Sequence, residues 1–409
     1  MPAFAPLSRL PVSESRAPGA GAASLGLAAL ACLLGGAPSA SAATTIYDAS
    51  NTPYVGGTIA PGDTVRIDDG ATVTGNIANS GTLQFNQTSG SLALTGTYTG
   101  NATATLLLTN GGTVGLLQST TTTIIDGAVD VRAGRLSTGT AALFIGSTGT
   151  GSLSISGDGA VATAFAQFAS GANSSAVYTM TGGTFTNTAR SAAPFYFASG
   201  SSSSGTFMMT GGTANLGTGA GGALAYGPNS TAMMTLTGGT LTWNWCEPAE
   251  GDNSTATISL SGSAARLNAT SILRMSIGAN AVSSFTASSG VASIGTFVLG
   301  AGANSVSTVT INSGSVGFAG TGATTNANLV GAAAGSSGTM TISGGTTTMA
   351  GPTIVGGLGT GNGGGGSRGL VRIEGGLITT NTAASGNFTN VLENHLILGR
   401  YAATTVRWS

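Results

Sequence analysis

Two tryptophans and a glutamate stand close together in a chain that is otherwise poor in aromatic and charged residues. Trp243, Trp245 and Glu247 alternate along the sequence, so on a β-strand all three would share one face. Aromatic rings beside a carboxylate are suited to hold a sugar or a protein ligand. The alternative is that both indoles pack their segment against the body of the protein. The sequence therefore predicts a ligand-binding site at these three residues, with packing as the alternative.

Acid–base catalysis needs carboxylates that cluster, and one short segment comes closest to this requirement. Asp126, Asp130 and Arg132 follow a period of two and would lie on one face of a strand. Paired carboxylates can divide the acid and base roles of sugar hydrolysis. A solvated face with salt-bridge pairing explains the same residues without chemistry. We therefore predict that the protein has no catalytic residues and is not an enzyme. A carbohydrate-active β-helix enzyme, a polysaccharide lyase or hydrolase, is the alternative.

Metal-ligand types are too dispersed to predict a metal centre. Asp63, Asp68 and Asp69 are hard-cation ligand types, but no calcium-loop spacing surrounds them. Aspartate in such segments also favours turns through local hydrogen bonds. His395 is the only histidine, which excludes a multi-histidine site within one chain. We expect no metal and no cofactor.

The elements that would position these residues belong to a repeat. An apolar residue precedes each Ser/Thr-Gly turn, and it recurs with a mean period of about 27 residues, which is typical of solenoids. The copies are Ile155, Met180, Met209, Leu236, Leu260, Ile311, Ile342 and Ile373, with Ala287 as a degenerate copy. A second set of turns, such as Tyr226-Gly227 and Val330-Gly331, lies between them. Each unit thus holds at least two short strands separated by glycine-rich corners.

The alternation within these strands predicts how the units pack. In Met340-Thr341-Ile342 apolar and hydroxyl side chains alternate, which is typical of a half-buried strand. A unit this small cannot bury its own apolar face, but stacking on its copies buries it. The sequence therefore predicts a solenoid of stacked short strands, in the all-β class.

Composition limits the function classes. Of 409 residues 69 are glycine and 6% are charged, but the 41% apolar content indicates a packed core rather than disorder. The net charge is −1 and no lysine occurs, which argues against nucleic acid and against an anionic membrane surface. Cys246 is the only cysteine outside the first 42 residues, so no intrachain disulfide is expected in the mature chain.

The order of segments along the chain predicts four parts. Residues 1–42 read as a signal peptide, with an apolar stretch at 25–34 followed by Ala40-Ser41-Ala42. Residues 43–140 are expected to form an irregular N-terminal cap and the first rungs, and residues 141–380 the regular helix. Residues 381–409 are predicted to be the last rung and a tail; whether more chain follows is left open. Residues 243–253 and 359–368 are predicted to be loops that leave the rod.

The repeat resembles a known family. It is clearest from Val330-Gly331 through Thr339-Met340-Thr341-Ile342-Ser343-Gly344-Gly345-Thr346. This pattern resembles the repeats of bacterial autotransporter (type V secretion) passengers and of PEP-CTERM-associated surface proteins. The stretch Gly81-Thr82-Leu83-Gln84-Phe85-Asn86 is similar to the autotransporter-associated β-strand repeat. The resemblance implies a right-handed parallel β-helix displayed at, or released from, a cell surface, and this is the fold class that we predict for the chain.

These observations lead to one expectation for function. The chain is predicted to be an exported, non-catalytic, adhesin-like rod at the bacterial outer surface. Its partners are expected to be glycans, host or matrix surfaces, or further copies of itself. Neither a translocator barrel nor a sorting segment is visible, so membrane contact is expected only through such an anchor. A self-assembling extracellular matrix protein is a further alternative.

Overall fold

The computed structural model describes residues 42–115, 123–187, 195–217, 221–319, 328–350, 353–355, 367–381, 388–390, 395–398 and 405–408. The predicted signal peptide lies outside the described residues, apart from Ala42. The glycine run at 363–366 and the side chain of His395 lie outside them as well. Within the described part of the chain every regular element is a strand, and no helix is long and apolar enough to cross a membrane.

The strands are short and follow one another throughout the described chain. In chain order they are β1 (Thr44–Tyr47), β2 (Gly57–Ile59), β3 (Thr64–Ile67), β4 (Ile77–Asn79), β5 (Thr82–Phe85), β6 (Ser91–Ala93), β7 (Tyr98–Gly100), β8 (Thr105–Leu108), β9 (Thr113–Gly115), β10 (Thr123–Ile125), β11 (Ala128–Val131), β12 (Arg135–Ser137), β13 (Ala142–Ile145), β14 (Thr150–Ile155), β15 (Ala160–Thr163), β16 (Phe165–Phe168), β17 (Ser175–Met180), β18 (Thr184–Asn187), β19 (Phe195–Phe197), β20 (Ser204–Met209), β21 (Thr213–Asn215), β22 (Gly221–Leu224), β23 (Thr231–Leu236), β24 (Thr240–Pro248), β25 (Thr255–Leu260), β26 (Arg266–Met275), β27 (Val282–Ala287), β28 (Val291–Leu299), β29 (Val306–Ile311), β30 (Ser315–Phe318), β31 (Asn328–Val330), β32 (Ser337–Ile342), β33 (Thr346–Ala350), β34 (Thr353–Val355), β35 (Arg368–Ile373), β36 (Leu377–Asn381), β37 (Phe388–Asn390), β38 (His395–Leu398) and β39 (Thr405–Trp408).

All strands pair in parallel and form three ladders, so the chain is a parallel β-helix. Ladder A takes one strand from each coil and contains fifteen strands, from β1 and β3 to β35 and β38. Ladder B runs through β6, β9, β12, β15, β18 and β21, and ladder C through β2, β4, β7, β10, β13, β16, β19 and β22. Strands β24, β26 and β28 continue through both ladders, which then separate again. With neighbouring strands about 4.8 Å apart, ladder A is about 67 Å long.

The predicted apolar column is confirmed residue by residue. Ile155 pairs with Met180, Met180 with Met209 and Met209 with Leu236, and the column continues without a slip to Ile373. Ala287, the degenerate copy, occupies its place between Leu260 and Ile311. These side chains line the interior because an in-register parallel ladder places equivalent residues on top of one another.

The segment predicted to hold the cap and the first rungs belongs to the same ladders. Tyr47 pairs with Ile67, Ile67 with Phe85 and Phe85 with Leu108, which extends the apolar column upstream of Ile155. These paired positions lie closer together in sequence than those of the later repeat, so the coils are shorter here. The shorter coils explain why this segment fits the later repeat poorly in sequence. The right-handed sense of the coil stays a prediction, based on the general preference of parallel crossovers.

The corner that leads from ladder C to ladder A has a recurrent structure. Asn229 and Asn253 adopt the left-handed conformation, with φ of 57° and 55°. Asparagine tolerates this region better than most residues. The next residue, Ser230 or Ser254, is buried and donates its hydroxyl hydrogen to the carbonyl of the glycine three residues earlier, at 2.6 Å. The corner therefore satisfies its buried polar groups internally, as a stack of coils requires.

One local prediction is wrong. Residues 243–253 do not leave the rod as a loop, because β24 is a ladder strand that pairs with β21 and β22 on one side and β26 on the other. In the tail, Leu398 pairs with Ile373 in ladder A. The tail therefore adds a further strand, β38, to ladder A.

Candidate functional site

Strand β24 passes from ladder B to ladder C, and this corner determines where each tryptophan points. Trp243 pairs with Ala269 whereas Trp245 pairs with Ile272, so the register shifts between them. The irregularity reverses the alternation of side chains. Trp243 is 0% exposed and faces the core, and Trp245 is 46% exposed and faces solvent. The expectation that both tryptophans share a face is wrong, but Trp245 and Glu247 do share the outer face.

Trp243 is a core residue. Its ring meets Phe195 edge-on, with ring centroids 6.1 Å apart and planes at 89°. A Cβ atom on Gly222 would lie 2.3 Å from the indole Nε1, so only glycine leaves room for this ring. The alternative interpretation from the sequence, packing against the body of the protein, therefore holds for Trp243.

Trp245 lies over the backbone of the neighbouring coil. It pairs with Gly221 in ladder C, and a Cβ atom on Gly221 would lie 3.0 Å from both Cβ and Cε3 of the indole. The ring thus rests on a position without a side chain. The rest of the indole surface is open to solvent, where it can stack on the face of a ligand.

Two glutamates and an arginine lie beside Trp245. Glu247 is 7% exposed and forms an ion pair with Nη2 of Arg274 from the next coil. Glu250, at the following corner, shares a hydrogen bond with Glu247. Burial and the negative charge of Glu247 together raise the pKa of Glu250 to about 7. The surroundings of Glu250 therefore favour the protonated form of its carboxyl group.

Two tyrosines complete this cluster. The rings of Tyr196 and Tyr226 stack, with centroids 4.1 Å apart, and their hydroxyl groups are hydrogen-bonded. Burial, followed by the effects of Tyr226, Glu250 and Glu247, raises the pKa of Tyr196 to about 12. Tyr196 stands two strands from Glu247 along ladder C, with the buried Ala223 between them.

We name this cluster the β24 patch. Its members come from successive coils and meet on the outer surface of ladder C. They are Tyr196, Tyr226, Trp245, Glu247, Glu250 and Arg274.

Sequence reasoning found only Trp245 and Glu247 among these residues. Tyr196 lies between the buried Phe195 and Phe197 and points outward. Tyr226 and Arg274 lie on the neighbouring coils and Glu250 follows a corner, so their proximity is invisible without the coil register. An alignment of the coils on their apolar column would have placed Tyr196 near Glu247.

The carboxylates predicted as the best catalytic candidates have structural roles. Asp126 accepts hydrogen bonds from the backbone of Ser147 and Thr148 and from the Thr148 hydroxyl, which joins two coils. Asp130 and Arg132 form an ion pair at 2.8 Å on the outer face of ladder A. The corner at Gly127 separates Asp126 from β11, so the expectation that all three residues share a face is wrong. The alternative of salt-bridge pairing is confirmed for Asp130 and Arg132.

The remaining acidic and thiol groups show no arrangement for metal binding in the described part of the chain. Asp68 pairs with Arg66 at 2.8 Å, and Asp69 accepts hydrogen bonds from Thr88 in the next coil. No three His, Cys, Asp or Glu side chains among the described residues come close enough to hold a metal ion. Cys246 is a free, buried thiol whose pKa is raised by burial.

The geometry of the β24 patch is that of an open surface with one exposed indole, two stacked tyrosines and an ion pair. Comparison of the chain with protein-family models, with curated proteins and with solved structures finds no match.

Proposed function

We propose that the protein is an exported, surface-displayed β-helix that adheres to glycans through the β24 patch. The observation that carries this proposal is the exposed face of Trp245 beside the ion pair of Glu247 and Arg274. An indole face stacks on the apolar face of a sugar ring. The carboxylate accepts hydrogen bonds from sugar hydroxyls, and the guanidinium donates them. Charge-assisted hydrogen bonds of this kind are stronger than neutral ones.

The rest of the molecule is suited to hold this patch rigidly. Trp245 and Glu247 lie on a strand that is hydrogen-bonded on both sides, rather than on a free loop. A site on a rigid element loses little conformational entropy when it binds. Repeated weak contacts between many displayed copies and a glycan-coated surface would add strength through avidity.

The surroundings of Glu247 favour binding over hydrolysis. A glycosidase needs one carboxylate that is free to act as nucleophile or base and a second carboxyl group that acts as acid. Glu247 is 7% exposed and already forms an ion pair with Arg274. We therefore propose that the protein is not an enzyme, and expect no release of reducing ends from glycans incubated with it.

Export is proposed from the sequence of residues 1–42 and from the resemblance of the repeat to autotransporter passengers. A shaft held by ladders and a packed core, with Cys246 as a free thiol, suits a chain that must cross membranes unfolded. N-terminal sequencing of the protein recovered from outside the cell is expected to begin at Ala43. Recovery of uncleaved protein inside the cell would contradict this part of the proposal.

The test of glycan binding compares variants at the two tryptophans. Trp245→Ala is expected to lower binding to a glycan array by about 1–2 kcal/mol in free energy, since one stacking face is lost. Its thermal stability should stay close to that of the unchanged protein, because the ring is half exposed. Trp243→Ala is expected to lower the free energy of unfolding by about 3–5 kcal/mol, because it empties a core position.

The control is Val55→Ala, which shortens an apolar side chain that is 70% exposed and lies far from the β24 patch in sequence, between β1 and β2. It should change neither binding nor stability. If Trp245→Ala binds every glycan as well as Val55→Ala does, the β24 patch is not the adhesive site.

A further inference from the structure

The outer face of ladder A is a second surface, distinct from the β24 patch. Strands β14, β17, β20, β23, β25, β27, β29 and β32 each place three side chains outward, which gives 24 positions. Nineteen of these are serine or threonine. The other five are Val177, Met208, Met233, Val282 and Val306. We name these 24 positions the hydroxyl face.

The hydroxyl face carries no charge and no aromatic ring, although charged residues lie on the coils before and after it. The ion pair of Asp130 and Arg132 lies on the coil before it. Arg368 and Arg372 lie on the coil after it, and Arg372 pairs with Glu374 at 2.8 Å. Charges thus border the eight coils and are excluded from their outer face. The surface is therefore adapted to an uncharged partner.

The positions of the hydroxyl groups repeat in two directions. All six residues of each strand pair with the next strand, without a bulge, from β14 to β32. The rows therefore repeat every ~4.8 Å along the axis and every ~6.6–6.8 Å along each strand. Side chains within a column also contact each other, as in the bonds from Ser175 to Thr150 at 3.1 Å and from Ser284 to Thr257 at 3.2 Å. These contacts hold the hydroxyls in ordered rows.

Its size argues against a second copy of the chain as the partner. Seven strand spacings by four residue steps give a rectangle of about 34 by 13 Å, or roughly 450 Å². A standard protein–protein interface buries about 800 Å² on each partner and has a more apolar centre. A surface of this size can still bind firmly to an extended lattice, because many identical weak contacts form at the same time.

The absence of aromatic rings in the hydroxyl face also separates it from a sugar-binding surface, because stacking on a ring is the contact that sugars favour. What the face offers is a periodic array of groups that both donate and accept hydrogen bonds, with methyl groups between them. The extended, uncharged lattice that matches both properties is crystalline water. We propose that the hydroxyl face binds ice.

The contact would be made through ordered water. Serine and threonine hydroxyls in register hold rows of water molecules in the troughs between the side-chain columns, at the spacing of the strands. Threonine methyl groups, Val282 and Val306 restrict these water molecules to the troughs. Rows already arranged with the period of the ladder join a growing ice surface at little further entropic cost. The rod would then attach to ice by one face and to glycans by another.

The experiment measures the binding of the whole protein to ice directly. The protein is expected to concentrate in a slowly grown ice hemisphere and to inhibit ice recrystallisation. Thr257→Arg, in the middle column of the fifth coil, should lower the ice-bound fraction at least about tenfold, because one long side chain lifts several coils off the lattice. Thr186→Arg, at an outward position of ladder B, is the matched control and should leave ice binding unchanged.

Three outcomes would overturn the proposal. One is a protein that ice excludes as completely as it excludes serum albumin. Another is equal loss of ice binding in Thr257→Arg and Thr186→Arg, with circular dichroism unchanged in both. The third is retention on insoluble chitin or cellulose that Thr257→Arg abolishes, which would assign the face to a crystalline polysaccharide. None of these depends on the β24 patch, which is tested by glycan binding of Trp245→Ala.

Discussion

At the scale of single residues, the path of the backbone through a corner decides what a side chain does. Trp243 and Trp245 are two positions apart and would share a face on an uninterrupted strand, yet one is in the core and the other in solvent. The same effect separates Asp126 from Asp130. Whether a side chain in this fold is buried or exposed therefore depends on its distance from a corner as much as on its own polarity.

The carboxyl pair of the β24 patch predicts a pH dependence of stability. The pKa of Glu250 is raised to about 7 in the folded protein, mainly by burial and by Glu247, against 4.5 for a free side chain. Folding then favours the protonated form, so the contribution is fully present below pH 4.5 and is lost as the pH rises through about 7. The charged and titratable groups around it are Glu247, Arg274 and Tyr196.

Thermal unfolding between pH 5 and pH 8 measures this effect. The unchanged protein should lose thermal stability between pH 5 and pH 8. The loss should be smaller in Glu250→Gln, because the glutamine amide is neutral at every pH. Thermal midpoints of both proteins that change in parallel across the interval would show that Glu250 is not the group responsible.

At the scale of elements, stacked corners restrict which residues the turns can contain. Gly200, Gly227, Gly251 and Gly278 occupy equivalent places where ladder C leads into ladder A. A Cβ atom at any of them would lie between 1.9 and 2.2 Å from a carbonyl oxygen of the preceding coil. The glycines are needed here for the close approach of two backbones, and the high glycine content follows in part from the number of coils.

Gly227→Ala tests this requirement. Its Cβ would lie 2.0 Å from the carbonyl oxygen of Gly200, so the coils must separate locally. We expect the free energy of unfolding to fall by about 1–3 kcal/mol, as for other overpacked positions. Gly149→Ala is the matched control, because nothing lies within 4 Å of its Cβ position and its φ is not in the left-handed region. Denaturant unfolding of both variants should show a loss for Gly227→Ala alone. An equal loss in both would mean that general backbone entropy, and not coil contact, sets the need for glycine.

At the scale of the whole molecule, the coils behave as nearly interchangeable layers. Each ladder strand contacts the strand before it and the strand after it, so stability is expected to add up from coil to coil. The apolar column continues through coils of unequal length, from the short step between Ile67 and Phe85 to the long step between Ile311 and Ile342. Length variation is therefore absorbed at the corners, and the core keeps one register.

Deletion of one complete coil tests this description. Removal of residues 288–311 joins Ala287 to Asn312, and Ala287 pairs with Ile311, so the next coil falls into register. The variant should fold, should be shorter by about 4.8 Å in small-angle scattering, and should be less stable. Removal of residues 288–299 alone leaves an incomplete coil and should prevent folding of the C-terminal part. If both deletions unfold equally, the coils are not independent layers.

The sequence by itself determined the fold. Because identical environments recur in a stacked coil, one apolar column with glycine turns was enough to predict the parallel β-helix, and every marked position from Ile155 to Ile373 lies in that column. Only the tertiary structure decided which outward residues meet. Tyr196, Glu247 and Arg274 come from different coils, and their approach depends on the register and on corner irregularities. The sequence signals for the register and for the corner irregularities are only one or two residues long, which is too short to form a periodic pattern. The pattern of buried residues, in contrast, is repeated in every coil.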